Sequence, residues 1–301
     1  MPSIDKKSFD VRDVRFEAIV AGDVPIERLA TGFGFTEGPV WDARGKRLIF
    51  SDMKQDCMRC WSTSGGIATF RQPSNKVNGN AIDASGRLLS CEHSTSRVVR
   101  LAPQGALEVV ASHFQGKELN SPNDIIVKSD GAIYFTDPTY GRIREDLGLV
   151  RKQELGFQGV YRVLPDGSDV RLLASDFEQP NGLCFSLDES ALFVNDTMRK
   201  HIRRFDVLPD GSVTGGDVWA ETAGEEPGVP DGMKVDAEGD LFCTGPGGIH
   251  VFDTAGRLLG VIRLPERPAN FAWGGDDRRS LFVTATTSLY RLKTKVPGRD
   301  Q

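Results

Sequence analysis

The sequence predicts an all-β fold, a six-bladed β-propeller forming a single domain over residues 1–301. Three observations carry that prediction. A polar turn, a short apolar strand, a tight reversal and a second apolar strand follow one another six times. The copies recur at the interval of a four-stranded blade, and no stretch shows a convincing helical periodicity.

The clearest copy runs from Ser121 to Asp137. Ser121-Pro122-Asn123-Asp124 is the turn and Ile125-Ile126-Val127 the first strand. Asp130-Gly131 reverses the chain into Ile133-Tyr134-Phe135-Thr136-Asp137. Apolar β-formers on either side of a Gly-containing turn make a hairpin. The copies start near residues 37, 78, 123, 181, 231 and 270, at intervals of 41, 45, 58, 50 and 39 residues. Periods of ~40–50 residues are those of propeller blades, which leaves room for two more strands per copy. Ser96–Leu101, Gly159–Val163, His201–Asp206 and Gly248–Asp253 are expected third strands.

Residues 1 to about 34 hold one expected strand, Phe16–Val20, a candidate to close the ring by pairing into the last blade. Two long loops stand out. Residues 138 to 158 interrupt blade three, and Glu221 to Pro230 lead into Asp231. Both are expected to overhang one face, where insertions carry function more often than core. Tyr140, Arg142, Arg144, Glu145 and Glu154 give the first loop a polar character.

Composition narrows the partners. The net charge of −5, without a Lys/Arg tract, argues against nucleic-acid binding. No apolar run approaches membrane-spanning length and no secretory leader is evident at the N-terminus. Five cysteines, an odd number, suit reduced thiols, so a cytoplasmic protein is expected. The sequence leaves the oligomeric state open.

In a propeller the first strand of each blade lines the central channel. The six starting residues, Glu37, Asn78, Asn123, Asn181, Asp231 and Asn270, are all carboxylates or carboxamides. Asn and Asp are ordinary turn residues, but six convergent copies with no Gly, Ser or Pro exceed what turning requires. The second strand returns to the same face and ends at Asp52, His93, Asp137 and Asp196 in blades one to four. Two carboxylates among amide oxygens, unaccompanied by clustered His or Cys, suit one hard divalent cation at the channel. Ca2+ fits such a set best, with Zn2+, Mn2+, Fe2+ and Mg2+ left open. Cys57 and Cys60 have C-x-x-C spacing but no second pair, so outer-strand packing is expected rather than a zinc site.

On these residues the sequence resembles the gluconolactonase/regucalcin (senescence marker protein) family over roughly residues 30 to 295. Phe35-Thr36-Glu37-Gly38-Pro39-Val40-Trp41, Ser121-Pro122-Asn123-Asp124, Phe135-Thr136-Asp137-Pro138, Pro180-Asn181-Gly182-Leu183, Pro230-Asp231-Gly232-Met233 and Gly245-Pro246-Gly247-Gly248-Ile249 carry the resemblance. It implies a metal-dependent hydrolase that opens a small-molecule sugar lactone. Glu37, Asn181 and Asp231 would be metal ligands, with Asn123 a fourth ligand or a substrate contact. Regucalcin-like members have Arg two residues before this Asn; Ser121 stands here, which points to the bacterial lactonase branch. Asp231 is the candidate proton acceptor, with Asp196 second. Asn123, Ser121, His93 and Tyr140 are the candidate substrate contacts. The rivals are an arylesterase or organophosphate hydrolase on the same metal, and a non-catalytic calcium-binding propeller. Gly-x-Ser-x-Gly is absent from the sequence, which weighs against a serine-nucleophile route to the same reaction.

Overall fold

The computed structural model describes residues 8–222 and 224–299. Alternation of apolar residues in each copy builds an antiparallel hairpin, and two further strands extend it outward to a four-stranded blade. Blade one is Thr36–Asp42, Arg47–Asp52, Cys57–Ser62 and Gly66–Arg71. Blade three keeps only Ile125–Val127 as its first strand, followed by Ile133–Asp137, Gln158–Val163 and Arg171–Phe177. The expected third strands are present in blades two to five.

The core lies between blades. Each of six hydrophobic clusters is shared by two neighbouring blades. The cluster between the last and first blades joins Phe282 to Leu48 and Phe50, with Trp41 stacked on Phe282 at 5.5 Å. Burial of apolar area at every blade interface holds the ring closed.

The N-terminal region departs from expectation. Phe16–Val20 is not a strand: Arg15–Ile19 forms a short helix. Spacing of three places Phe16 and Ile19 on one face, where both bury into the cluster between blades five and six. Ring closure comes instead from Glu27–Thr31, which pairs antiparallel with Ser288–Lys293 as the outer strand of blade six. Phe9–Val11 adds a fifth strand to blade five. A second short helix, Tyr140–Ile143, opens the insertion in blade three. Among the described residues no helix is long and apolar enough to cross a membrane.

Candidate active site at the mouth of the channel

The side chains of the starting ring are aimed by backbone irregularity. The ladder between the first two strands shifts register between Glu37 and Val40, Val77 and Asn80, Pro180 and Leu183, and Pro268 and Asn270. Such bulges redirect a side chain away from the regular pleat. In blades one, two, four and five the ring residue is followed by Gly38, Gly79, Gly182 and Gly232. A Cβ at Gly38 would strike the Asn78 carbonyl, and one at Gly182 the Asp231 carbonyl. Glycine therefore lets each blade start press against the next, drawing the ring tight.

Hydrogen-bond direction then decides what each ring residue offers. The Pro230 carbonyl can only accept, so the Thr197 hydroxyl donates to it (2.8 Å) and accepts from Asn181 Nδ2 (3.1 Å). That leaves Asn181 Oδ1 as acceptor for Asn123 Nδ2 at 3.0 Å. The relay across blades three, four and five fixes both amides, with Asn181 Oδ1 accepting from Asn123 and Asn123 Oδ1 left to face a ligand. His93 orients Asn78 in the same way. Its Nδ1–H donates to the Leu147 carbonyl (3.2 Å), so Nε2 faces Asn78 Nδ2 as acceptor at 3.4 Å. Burial lowers the His93 pKa to about 4, which keeps the ring neutral in this role.

Asn270 is the exception and a correction to the oxygen ring. Its Oδ1 accepts the Phe271 N–H at 2.8 Å, which turns its Nδ2 toward the carboxylates of Glu37 and Asp124. It is a donor to the site.

Three carboxylates share the centre. Glu37 is buried, with Oε2 accepting the Gly38 N–H at 2.6 Å. Asp231 is partly open to the mouth. Asp124, which the sequence reading passed over, is buried, with Oδ1 bonded to the Ile125 N–H (3.0 Å) and Oδ2 buried without a partner. Its signal was available: Asp124 stands at the position that four other copies give to Gly. Burial, followed by repulsion from Asp124, raises Glu37 to about 7. Burial, followed by repulsion from Glu37 and Asp124, pushes Asp231 far above the usual carboxylate range. Neither Glu37 nor Asp231 has an ion-pair partner within contact distance among the described residues. Lys234 and Arg267 do act on them through space, which the sequence reading had not anticipated.

The second-strand ends do a different job. Asp52 Oδ1 accepts the Gly34 and Phe35 N–H groups (2.9 and 3.3 Å), and Asp137 Oδ2 accepts that of Asn120 (2.8 Å). Asp196 takes four: Glu178 on Oδ2, and Gln179, Met198 and Arg199 on Oδ1. Each clamps the loop that enters its own blade. Asp196 is thus corrected from proton acceptor to structural clamp, because both oxygens are already bonded. Ser121 is corrected likewise: its buried hydroxyl donates to the Pro138 carbonyl (2.6 Å) and accepts the Gly141 N–H (3.0 Å). His93 is fully buried behind Asn78, where its ring supports that amide. Tyr140 stays a candidate contact, its hydroxyl buried beside Thr197 and Asn181 without a partner and kept protonated by burial.

Arg142 is not at the mouth. It is fully buried and staples the insertion, with Nε donating to the Asn120 carbonyl (2.8 Å), Nη1 to Lys152 (3.2 Å) and Nη2 to Leu119, and it pairs with Glu118 at 2.8 Å. Cys57 and Cys60 are both free and lie an odd number of residues apart on one strand, hence on opposite faces.

The donor set suits a hard cation. The unpartnered Asp124 oxygen, two mutually repelling carboxylates and the amide oxygens of Asn123 and Asn181 all lack a compensating positive contact. Among the described residues no three His, Cys, Asp or Glu side chains form a metal cluster by themselves, so the carboxamides are part of any such site.

The chain belongs to the SMP-30/gluconolactonase/LRE-like family, whose model matches residues 35–287. It is 32% identical over 306 residues to a gluconolactonase of Zymomonas mobilis, covering 94% of this chain and 85% of that one. It is 27% identical to the pentonolactonase XacC of Haloferax volcanii over 88% of this chain and 92% of that one. A gluconolactonase structure from Xanthomonas campestris superposes with a TM-score of 0.89 at 33% identity, covering 96% of both chains.

Proposed function

We propose that the mouth of the channel opens a sugar lactone, of the gluconolactone 1,4- or 1,5-type, to its hydroxy acid, with one divalent cation, Ca2+ by donor type, held by Glu37, Asn181, Asp231 and Asn123. The observation that carries this reading is the set of carboxylate and amide oxygens gathered at the mouth without an ion-pair partner in contact among the described residues. The relatives named as sugar lactonases support the substrate class.

A bound cation would supply Lewis-acid stabilisation of the charge that grows on the lactone carbonyl oxygen. The chain's own residues do the rest. Asp231 is the ring carboxylate open to the mouth and would take the proton of the attacking water. The relay from Asn123 through Asn181 and Thr197 to Pro230 holds the amides in one orientation, so no reorganisation accompanies substrate binding. Tyr140 offers a protonated, unengaged hydroxyl to a sugar oxygen. The Pro138–Gly141 turn, tied by Ser121, sets where that hydroxyl stands.

The test is acid release from a panel of sugar lactones, aryl esters and phosphotriesters, before and after chelation and with each divalent ion restored. The expected result is turnover of aldonolactones that disappears on chelation and returns with one ion. Full activity after complete chelation would reject the metal; preference for phosphotriesters or aryl esters would reject the substrate class.

A further inference from the structure

On the face opposite the mouth, one strand reversal carries a charge that its counterparts do not. We propose that this reversal, in blade five, binds a divalent cation of the Ca2+ type between Asp236 and Asp240, at a site separate from the channel.

The same turn is built three times. Asp83-Ala84-Ser85-Gly86-Arg87 joins the first two strands of blade two, and Asp253-Thr254-Ala255-Gly256-Arg257 joins the third and fourth strands of blade five. Asp236-Ala237-Glu238-Gly239-Asp240 joins the first two strands of blade five. In each, the Asp N–H donates to the carbonyl of the fifth residue at 3.0 Å, and the Gly N–H donates back to the Asp carbonyl at 2.7, 2.9 and 3.2 Å respectively. In each, Asp Oδ1 accepts the N–H groups of the third and fifth residues, at 3.0 and 2.9, 3.0 and 2.8, and 2.9 and 3.0 Å. Oδ1 therefore turns the chain and Oδ2 is left for the fifth side chain. Asp83 Oδ2 meets Arg87 Nε at 2.7 Å; Asp253 Oδ2 meets Arg257 Nε at 3.5 Å and Arg15 Nη2 at 2.6 Å. In the third copy the fifth residue is Asp240, a carboxylate where the other two place a guanidinium.

Nothing in the chain replaces that guanidinium. Asp236 is fully buried, and its Oδ2 has no hydrogen-bond partner. The C-terminal segment covers the turn on one side, with the Ala237 N–H donating to the Pro297 carbonyl (2.9 Å) and Gly298 bridged to Asp236. Asp240 is half-buried, so the pair opens to solvent on its side. Among the described residues neither carboxylate has an ion pair. Arg15 bears on Asp240 through space, but its guanidinium is already bonded to Asp253 and, at 3.4 Å, to Asp13. Burial, followed by repulsion from Asp240 and Glu238, raises Asp236 to about 7. A buried carboxylate beside a second one is costly unless a cation compensates it. Ca2+ accepts such oxygens in irregular geometry and completes its shell with backbone carbonyls and water. Two carboxylates make a weak site, with a Kd of roughly 10⁻⁴–10⁻³ M.

The inference stands apart from the lactonase reading, since the turn lies at the other end of its strand from Asp231. Equilibrium dialysis of the full chain against labelled Ca2+, raised to roughly tenfold above that range, tests it by comparing chains that differ only at residue 240. Asp240→Arg restores the guanidinium of the other two copies and should bind one Ca2+ fewer per chain than the parent. Asp240→Asn, which changes almost no volume, should lose the same ion. The difference should persist when both chains also carry Asp231→Asn, which separates it from any ion at the mouth. Without calcium, Asp240→Arg should melt at or above the parent, and it should hydrolyse an aldonolactone at the parent's rate. Equal calcium stoichiometry in chains that differ only at residue 240, or an Asp240→Arg chain that melts below the calcium-free parent, would overturn the proposal.

Discussion

Two rings of polar residues meet at one face of this propeller, and they behave oppositely. The ring at the blade starts holds Glu37, Asn123, Asn181 and Asp231; the ring at the second-strand ends holds Asp52, Asp137 and Asp196. Both are acidic or amide-rich and mostly buried. The difference lies in what the oxygens accept. Asp196 is bonded to four backbone N–H groups, whereas Asp231 faces Glu37 and Asp124 across a shared centre. A buried carboxylate that is fully bonded builds the scaffold; one held against other carboxylates keeps a charge that no contact partner meets. Residue type alone does not separate the two.

The largest expected effect comes from neutralising the first ring. Glu37→Gln and Asp231→Asn should each lower kcat for an aldonolactone by roughly 10²–10³-fold or more, the scale for losing a preorganised electrostatic group. Neither should unfold the chain, because each removes repulsion, and melting curves without added metal should show equal or higher stability. In the second ring the pattern reverses. Asp196→Ala strands four N–H donors and should cost about 3 kcal/mol in denaturant unfolding.

Arg142→Met should come next. It releases three carbonyls and Glu118, costing about 2 kcal/mol, and should expose residues 138–157 to proteolysis before the rest of the chain. His93 gives a smaller effect, confined to acid. Its neutral form is favoured by folding, so that stability is complete above pH 6.5 and is lost as pH falls toward about 4. His93→Gln, which keeps a donor and an acceptor but cannot titrate, should flatten this part of the stability–pH curve. Cys57→Ser and Cys60→Ser should leave metal dependence and rate unchanged, since the two thiols lie on opposite faces of a strand.

Much of the fold was legible because each copy carries its own turn, alternation and second strand within a short window. The ring positions were legible for the same reason. Phe16–Val20 misled because five residues with apolar ends suit a short strand or a single helical turn; burial of Phe16 and Ile19 against blade five decides. Asn270 misled because an amide has a donor and an acceptor end, and the Phe271 N–H determines which end faces the site. Asp196 and Ser121 misled because their partners are backbone groups of loops whose course the sequence does not state. Asp124 could have been found by aligning the six copies, where it replaces a glycine.

The most direct test of the central claim is a paired measurement of kcat/KM on one aldonolactone for Asp231→Asn and Asp196→Asn, each at a temperature where circular dichroism shows it folded. The account predicts at least a hundredfold loss for Asp231→Asn, the scale of one lost electrostatic group, and a rate near the parent's for Asp196→Asn. Equal losses in both, or the larger loss at Asp196, would contradict it.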